Sequence, residues 1–118
     1  MITKNVERQM QTLHYRLNAY GAIKGTLLLR ENGLHISSTN LKKPESRKLA
    51  AIFAGMFKTV KRIEDVDEAQ FRLNNGLSVY MKELPNKKAI LTALSDESNS
   101  RNVKALMNFY SRMFQNIF

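Results

Sequence analysis

The chain contains no cysteine, which excludes disulfides, thiolate-bound zinc, iron–sulfur clusters and thiol nucleophiles. Its uninterrupted apolar runs are only a few residues long, far short of the ~18 needed for a membrane-spanning helix. The opening residues Met1-Ile2-Thr3-Lys4-Asn5 lack the apolar core of a secretion signal, and the chain reads as cytoplasmic. Histidine is scarce: His14 and His35 fall on different elements with no carboxylate at ligand spacing, so no metal site is expected. The acidic run Glu64, Asp65, Asp67 and Glu68 lacks the glycine and the distal glutamate of a calcium loop and reads as a solvated loop. Gly21 and Gly25 match neither the dinucleotide fingerprint nor the P-loop, and Ser37 and Ser38 are not flanked by nucleophile-elbow glycines. No cofactor is expected, and nothing in the sequence argues for an enzyme.

What is present is an ordinary globular composition with an unusual charge. The 118 residues are 43% hydrophobic and 25% charged, which suits a single domain over residues 1–118. A chain of this length buries roughly two-thirds of its unfolded surface, enough for one core. Nineteen Lys and Arg against ten Asp and Glu leave a net charge of +9, which implies an acidic partner or surface.

Hydrophobic periodicity divides the chain into eight elements. Ile2, Val6, Met10, Leu13, Leu17 and Tyr20 recur at helical spacing, and Gly21 follows where a left-handed residue would close the helix. Ala22 to Arg30 reads as a strand, with Gly25 a local flaw such as a bend or close approach. Asn32-Gly33 suggests a type I′ hairpin turn into Leu34–Ser38. Pro44 suits the first turn of a second helix. There Leu49, Ile52, Phe53, Met56, Phe57, Val60 and Ile63 hold one apolar stripe. Ala69–Leu73, Leu77–Glu83 and Lys88–Ser95 are short strands joined by the turns at Asn75-Gly76 and Leu84-Pro85-Asn86-Lys87. A last helix, expected from about Ser100 to the final residue, carries Val103, Leu106, Met107, Tyr110, Met113, Phe114 and Ile117.

The order α-β-β-α-β-β-β-α, with hairpins between most strands, implies a largely antiparallel sheet. Thr26–Leu29 and Ala89–Leu94 are apolar on both faces, so they belong at the centre with helices on either side. Leu34–Ser38 and Ala69–Leu73 keep a polar face and read as edges. The expected fold class is α+β, a three-layer α/β/α sandwich around five strands.

Helix two carries more than a core stripe. Projected at 100° per residue, its opposite side places Arg47, Ala51, Ala54 and Lys58 in one row, with Ala50, Gly55, Lys61 and Arg62 beside it. Small outward residues let another helix approach closely, although alanine is also simply the best helix former. Gly55 inside a helix costs ~1 kcal/mol and needs a reason. Lys42, Lys43, Arg47, Lys48, Lys58, Lys61 and Arg62 oppose a single acid, Glu45. Nucleic acid would call for exposed aromatics among these charges, whereas Phe53 and Phe57 belong to the core stripe. That argues against nucleic acid, and leaves a membrane surface as at most a peripheral partner.

The segments Gly25-Thr26-Leu27-Leu28-Leu29, Asn32-Gly33-Leu34-His35-Ile36-Ser37-Ser38 and Leu49-Ala50-Ala51-Ile52-Phe53-Ala54, followed by two hairpins and a terminal helix, resemble the roadblock family of small domains. That family includes dynein light chains, lysosomal scaffold complexes and prokaryotic GTPase regulators. The resemblance spans nearly the whole chain, and its order of motifs carries it. It implies a dimer formed through the second helix and third strand, joining two sheets. Carried onto this sequence, the helix contact is Arg47, Ala51, Ala54, Gly55 and Lys58, and the paired strand is Ala69-Gln70-Phe71-Arg72-Leu73, with Phe71 and Arg72 at its heart. The implied partner is a second roadblock protein or another copy of this chain. The implied role is binding or regulating a Ras-like small GTPase, or scaffolding a larger assembly, without catalytic residues.

Two other readings compete. A profilin-like binder of actin and phosphoinositides would also wrap a sheet between terminal helices; the absence of tryptophan and of an exposed aromatic pair on those helices counts against it. A basic binder of nucleic acid or membrane would lose affinity steeply as salt rises.

Overall fold

A computed structural model describes residues 4–39, 43–74, 76–96 and 100–117. The elements are α1 (Lys4–Asn18), β1 (Ile23–Leu29), β2 (His35–Thr39), α2 (Lys43–Ile63), β3 (Glu68–Arg72), β4 (Ser78–Glu83), β5 (Ile90–Ser95) and α3 (Ser100–Gln115). The five strands form one sheet in the order β2-β1-β5-β4-β3, every pairing antiparallel. The central and edge strands are those the alternation patterns indicate.

Side-chain alternation along the strands builds two cores, one on each face of the sheet. Leu27 and Leu29 of β1, Val79 and Met81 of β4 and Ile90 of β5 pack under α2 with Ala50, Phe53, Ala54 and Phe57. Leu28, Tyr80, Leu91 and Ala93 point the other way, toward Met10, Leu13 and Leu17 of α1 and Val103, Met107 and Phe114 of α3. Three layers result because β1 and β5 are apolar on both faces.

The α1 face also encloses polar groups. His14 is fully buried, with Nδ1 2.7 Å from the Thr26 hydroxyl and Nε2 2.7 Å from that of Ser37. Asn18 donates to the same Thr26 oxygen at 2.6 Å, and the Phe114 ring lies 4.8 Å from the imidazole. Burial, with a smaller contribution from the charge of His35, lowers the His14 pKa from 6.5 to about 3. The ring is therefore neutral in the fold and pins α1 to the β1–β2 pair through both nitrogens.

Local details differ from the sequence expectations in instructive ways. Gly25 marks an irregular register between Ile23 and Gly25 against β5. In the first hairpin only Gly33 has a positive φ, 93°. The Gly33 N–H donates to the Arg30 carbonyl and the Arg30 N–H to Leu34, so a three-residue loop with Gly33 left-handed replaces the two-residue type I′ turn. Gly21 is not left-handed: α1 stops at Asn18, and the Tyr20 carbonyl accepts from the N–H of Ile23 to lead into β1. Ile2 and Asn75, named in the sequence reading, lie outside the described residues.

Candidate interaction surface

The surface is built on α2, whose burial is set by two constraints at once. Its inner face must cover the β1–β5–β4 core, and its middle must admit the β1–β2 loop. A Cβ on Gly33 would sit 3.3 Å from the Ala51 Cα and 3.9 Å from the Ala54 Cβ. The small residues of α2 thus receive this chain's own hairpin loop.

That contact rotates the helix relative to the sequence expectation. Ser46, Ala50, Phe53, Ala54 and Phe57 are buried, Leu49, Met56 and Val60 are half-buried, and Ile52 and Ile63 are 46% and 84% exposed. The buried arc lies roughly 80° around the axis from the arc the large apolar residues define. Ala54, expected on the outward row, is only 4% exposed and is corrected to a core position; Ala50, expected beside that row, is fully buried. Arg47, Ala51, Gly55 and Lys58 are exposed as expected.

Gly55 has no atom within 4 Å of where a Cβ would stand. Nothing among the described residues requires a glycine there.

On β3, Ala69 and Phe71 face the α2 core half-buried, while Glu68, Gln70 and Arg72 are exposed on the other face. Among the described residues β3 pairs only with β4, leaving its outer backbone edge unpaired in the sheet. Ile52 and Ile63, which periodicity places in the inner stripe, are instead surface, whereas Met56 keeps its contact with the core. The signal was present: the apolar arc of α2, taken with its alanines, is too wide for one face.

The basic patch divides. Lys48 and Arg62 are exposed. Lys61 is not free: its Nζ sits 2.6 Å from the Glu83 carboxylate, whose side chain is 4% exposed, and 5.6 Å over the Phe57 ring. The hydrogen bond to Glu83 raises the ammonium pKa, so Lys61 neutralises a buried acid. Lys42 and the Lys43 side chain lie outside the described residues. Among the described residues no group of three His, Asp or Glu could hold a metal, and no helix is long and apolar enough to cross a membrane.

No family model and no curated protein matches the sequence. Solved structures do. The Roadblock/LC7 domain from Streptomyces avermitilis superposes with a TM-score of 0.81 at 16% identity, covering 89% of this chain and 93% of that one. The chain has the roadblock fold. The gliding protein MglB from Thermus thermophilus matches at TM-score 0.80 and 21% identity over 99% of this chain and 93% of its own. Myxococcus xanthus MglB matches at 0.74 and 19% over 100% and 96%. Each match spans nearly the whole of both chains at an identity of about one residue in five.

One argument against the profilin-like reading is corrected. The terminal helices do expose aromatics: Tyr15 is 74% exposed and Phe109 59%. Both lie off the core stripes of α1 and α3.

Proposed function

We propose that this chain is a non-enzymatic interaction module that dimerises through α2 and β3 and presents the joined surface to a Ras-like small GTPase. The observation that carries the dimer is the unpaired edge of β3 next to the exposed side chains of α2. Such an edge is a template for another strand, and Ile52, Met56 and Ile63 supply apolar surface beside it. Gly55, unexplained within the chain, permits close approach of a second helix. A solved MglB in a tetrameric arrangement has the same fold, which favours self-association of this chain.

The β3 sequence also suits a two-fold axis. An antiparallel pair of β3 strands centred on Gln70 sets Glu68 opposite Arg72 twice, and Ala69 opposite Phe71. Exposed Arg47, Lys48, Lys58 and Arg62 then line α2 of both copies for an acidic partner. The contact therefore involves Arg47, Ala51, Gly55, Lys58, Phe71 and Arg72, with Ile52, Met56 and Ile63 added and Ala54 removed.

Light scattering on a sizing column tests the dimer, with a mass near twice 13.6 kDa expected. Arg72→Glu sets like charges across the strands and weakens association by about tenfold or more, and adding Glu68→Arg restores it. A monomeric wild type, or a double variant no better than the single one, refutes the arrangement. The GTPase role is tested by immobilising the dimer and probing lysate loaded with GDP or a GTP analogue. Retention of a small GTPase in one nucleotide state is expected, and retention in neither refutes that role.

A further inference from the structure

The α2 face and the α1/α3 face lie on opposite sides of the sheet, so a dimer built on α2 and β3 leaves α1 and α3 uncovered. Between these two helices runs a groove of about 360 Å³. Leu13, Met113 and Ile117 give it apolar walls, and Arg8, Thr12 and Arg16 follow one another along its α1 side at four-residue steps. Arg8 and Arg16 are exposed, make no ion pair among the described residues, and stand about 12 Å apart along the axis. Past Arg16 the groove continues into a hollow of about 330 Å³ lined by Tyr15, Tyr20 and Tyr110.

Charge identifies the occupant. The sequences of α1 and α3 contain six Lys or Arg (Lys4, Arg8, Arg16, Arg101, Lys104, Arg112) against one acid, Glu7. We infer that the α1/α3 groove docks an acidic amphipathic helix of a partner protein, its apolar stripe against Leu13, Met113 and Ile117 and two carboxylates, two turns apart, on Arg8 and Arg16. A third helix lying between two is the usual way to fill such a groove, and seven to eight residues of ligand helix span about 11–12 Å, matching the arginines. Single-stranded nucleic acid fits less well. Tyr20 and Tyr110 meet edge-to-face at 79°, as do Phe109 and Tyr110 at 77°, and the groove walls are aliphatic, so no run of parallel stacking platforms is offered.

The test is fluorescence anisotropy with a labelled helical peptide about 18 residues long, carrying Leu at i, i+3 and i+7 and two flanking Glu two turns apart. Its Glu→Gln counterpart, an oligoribonucleotide of equal length and phosphatidylserine-containing vesicles are run beside it. Saturable binding below about 100 µM is expected for the acidic peptide. Combined Arg8→Glu and Arg16→Glu should weaken it by about tenfold, whereas Arg30→Glu, exposed in the β1–β2 loop that packs on α2, should not. These positions are exposed, so circular dichroism should report an unchanged fold. The inference is overturned by no saturation up to about 1 mM, by equal binding of the Gln peptide, or by equal loss with Arg30→Glu. Tighter binding of the oligoribonucleotide or the vesicles through the same arginines overturns it equally.

Discussion

The His14 network predicts a specific loss of stability in mild acid. The folded ring titrates at about 3 and the unfolded one at 6.5, because burial disfavours the imidazolium, which would present two donors to hydroxyls now shared with a neutral ring. The folded pKa is depressed, so the unfolded chain binds the extra proton between these values. The contribution is fully present above pH 6.5 and drains away as pH falls toward 3. Linkage gives a loss of about 1.4 kcal/mol between about pH 7.5 and pH 5.5, and about 2 kcal/mol by about pH 5. The first interval lies above the ordinary range of carboxylates, which keeps their titration out of the measurement. Urea unfolding followed by circular dichroism, at fixed protein concentration, should lower the midpoint by about 1 M with an unchanged slope. His14→Gln, which keeps hydrogen-bonding capacity but cannot titrate, should flatten this dependence, and His35→Gln should leave most of it. A midpoint that does not move, or a His14→Gln variant with the wild-type pH dependence, refutes the assignment.

Two further outcomes test the packing. Thr92 is 1% exposed in the middle of β5, and its hydroxyl has no hydrogen-bond partner among the described residues; Thr92→Val should stabilise the chain by about 1 kcal/mol in the same unfolding assay. Gly33→Ala forces a side chain into the φ of 93° and against Ala51, and should cost about 2 kcal/mol. If Gly33→Ala unfolds like wild type, the contact of loop and helix described here is wrong.

Much of the fold could be read from the chain alone. β1 and β5 are apolar on both faces and lie side by side at the centre; β2 and β3 alternate and lie at the edges. Most ends of elements were legible to within a residue or two, because Pro44, Gly33 and Gly76 act locally; the last helix, expected to reach the final residue, stops at Gln115. On α2 the division between buried and exposed faces was only partly legible. Ala54 was assigned outward because alanine carries no strong preference for core or solvent, and Ile52 and Ile63 inward because they are large and apolar.

By itself the sequence determined the order of elements, the two-faced central strands, the absence of thiol chemistry and the excess of positive charge, since these depend on composition and on periods of two and 3.6 residues. Only the tertiary structure decided which side of α2 is buried, because the loop at Gly33 takes the space beside Ala51 and Ala54 and turns the helix. It alone paired Lys61 with Glu83 across 22 positions, enclosed His14 between two hydroxyls from different strands, and brought Arg8 and Arg16 beside Met113 and Ile117. Each of these joins residues far apart in the chain, and no local pattern encodes a contact whose other half comes from a different element.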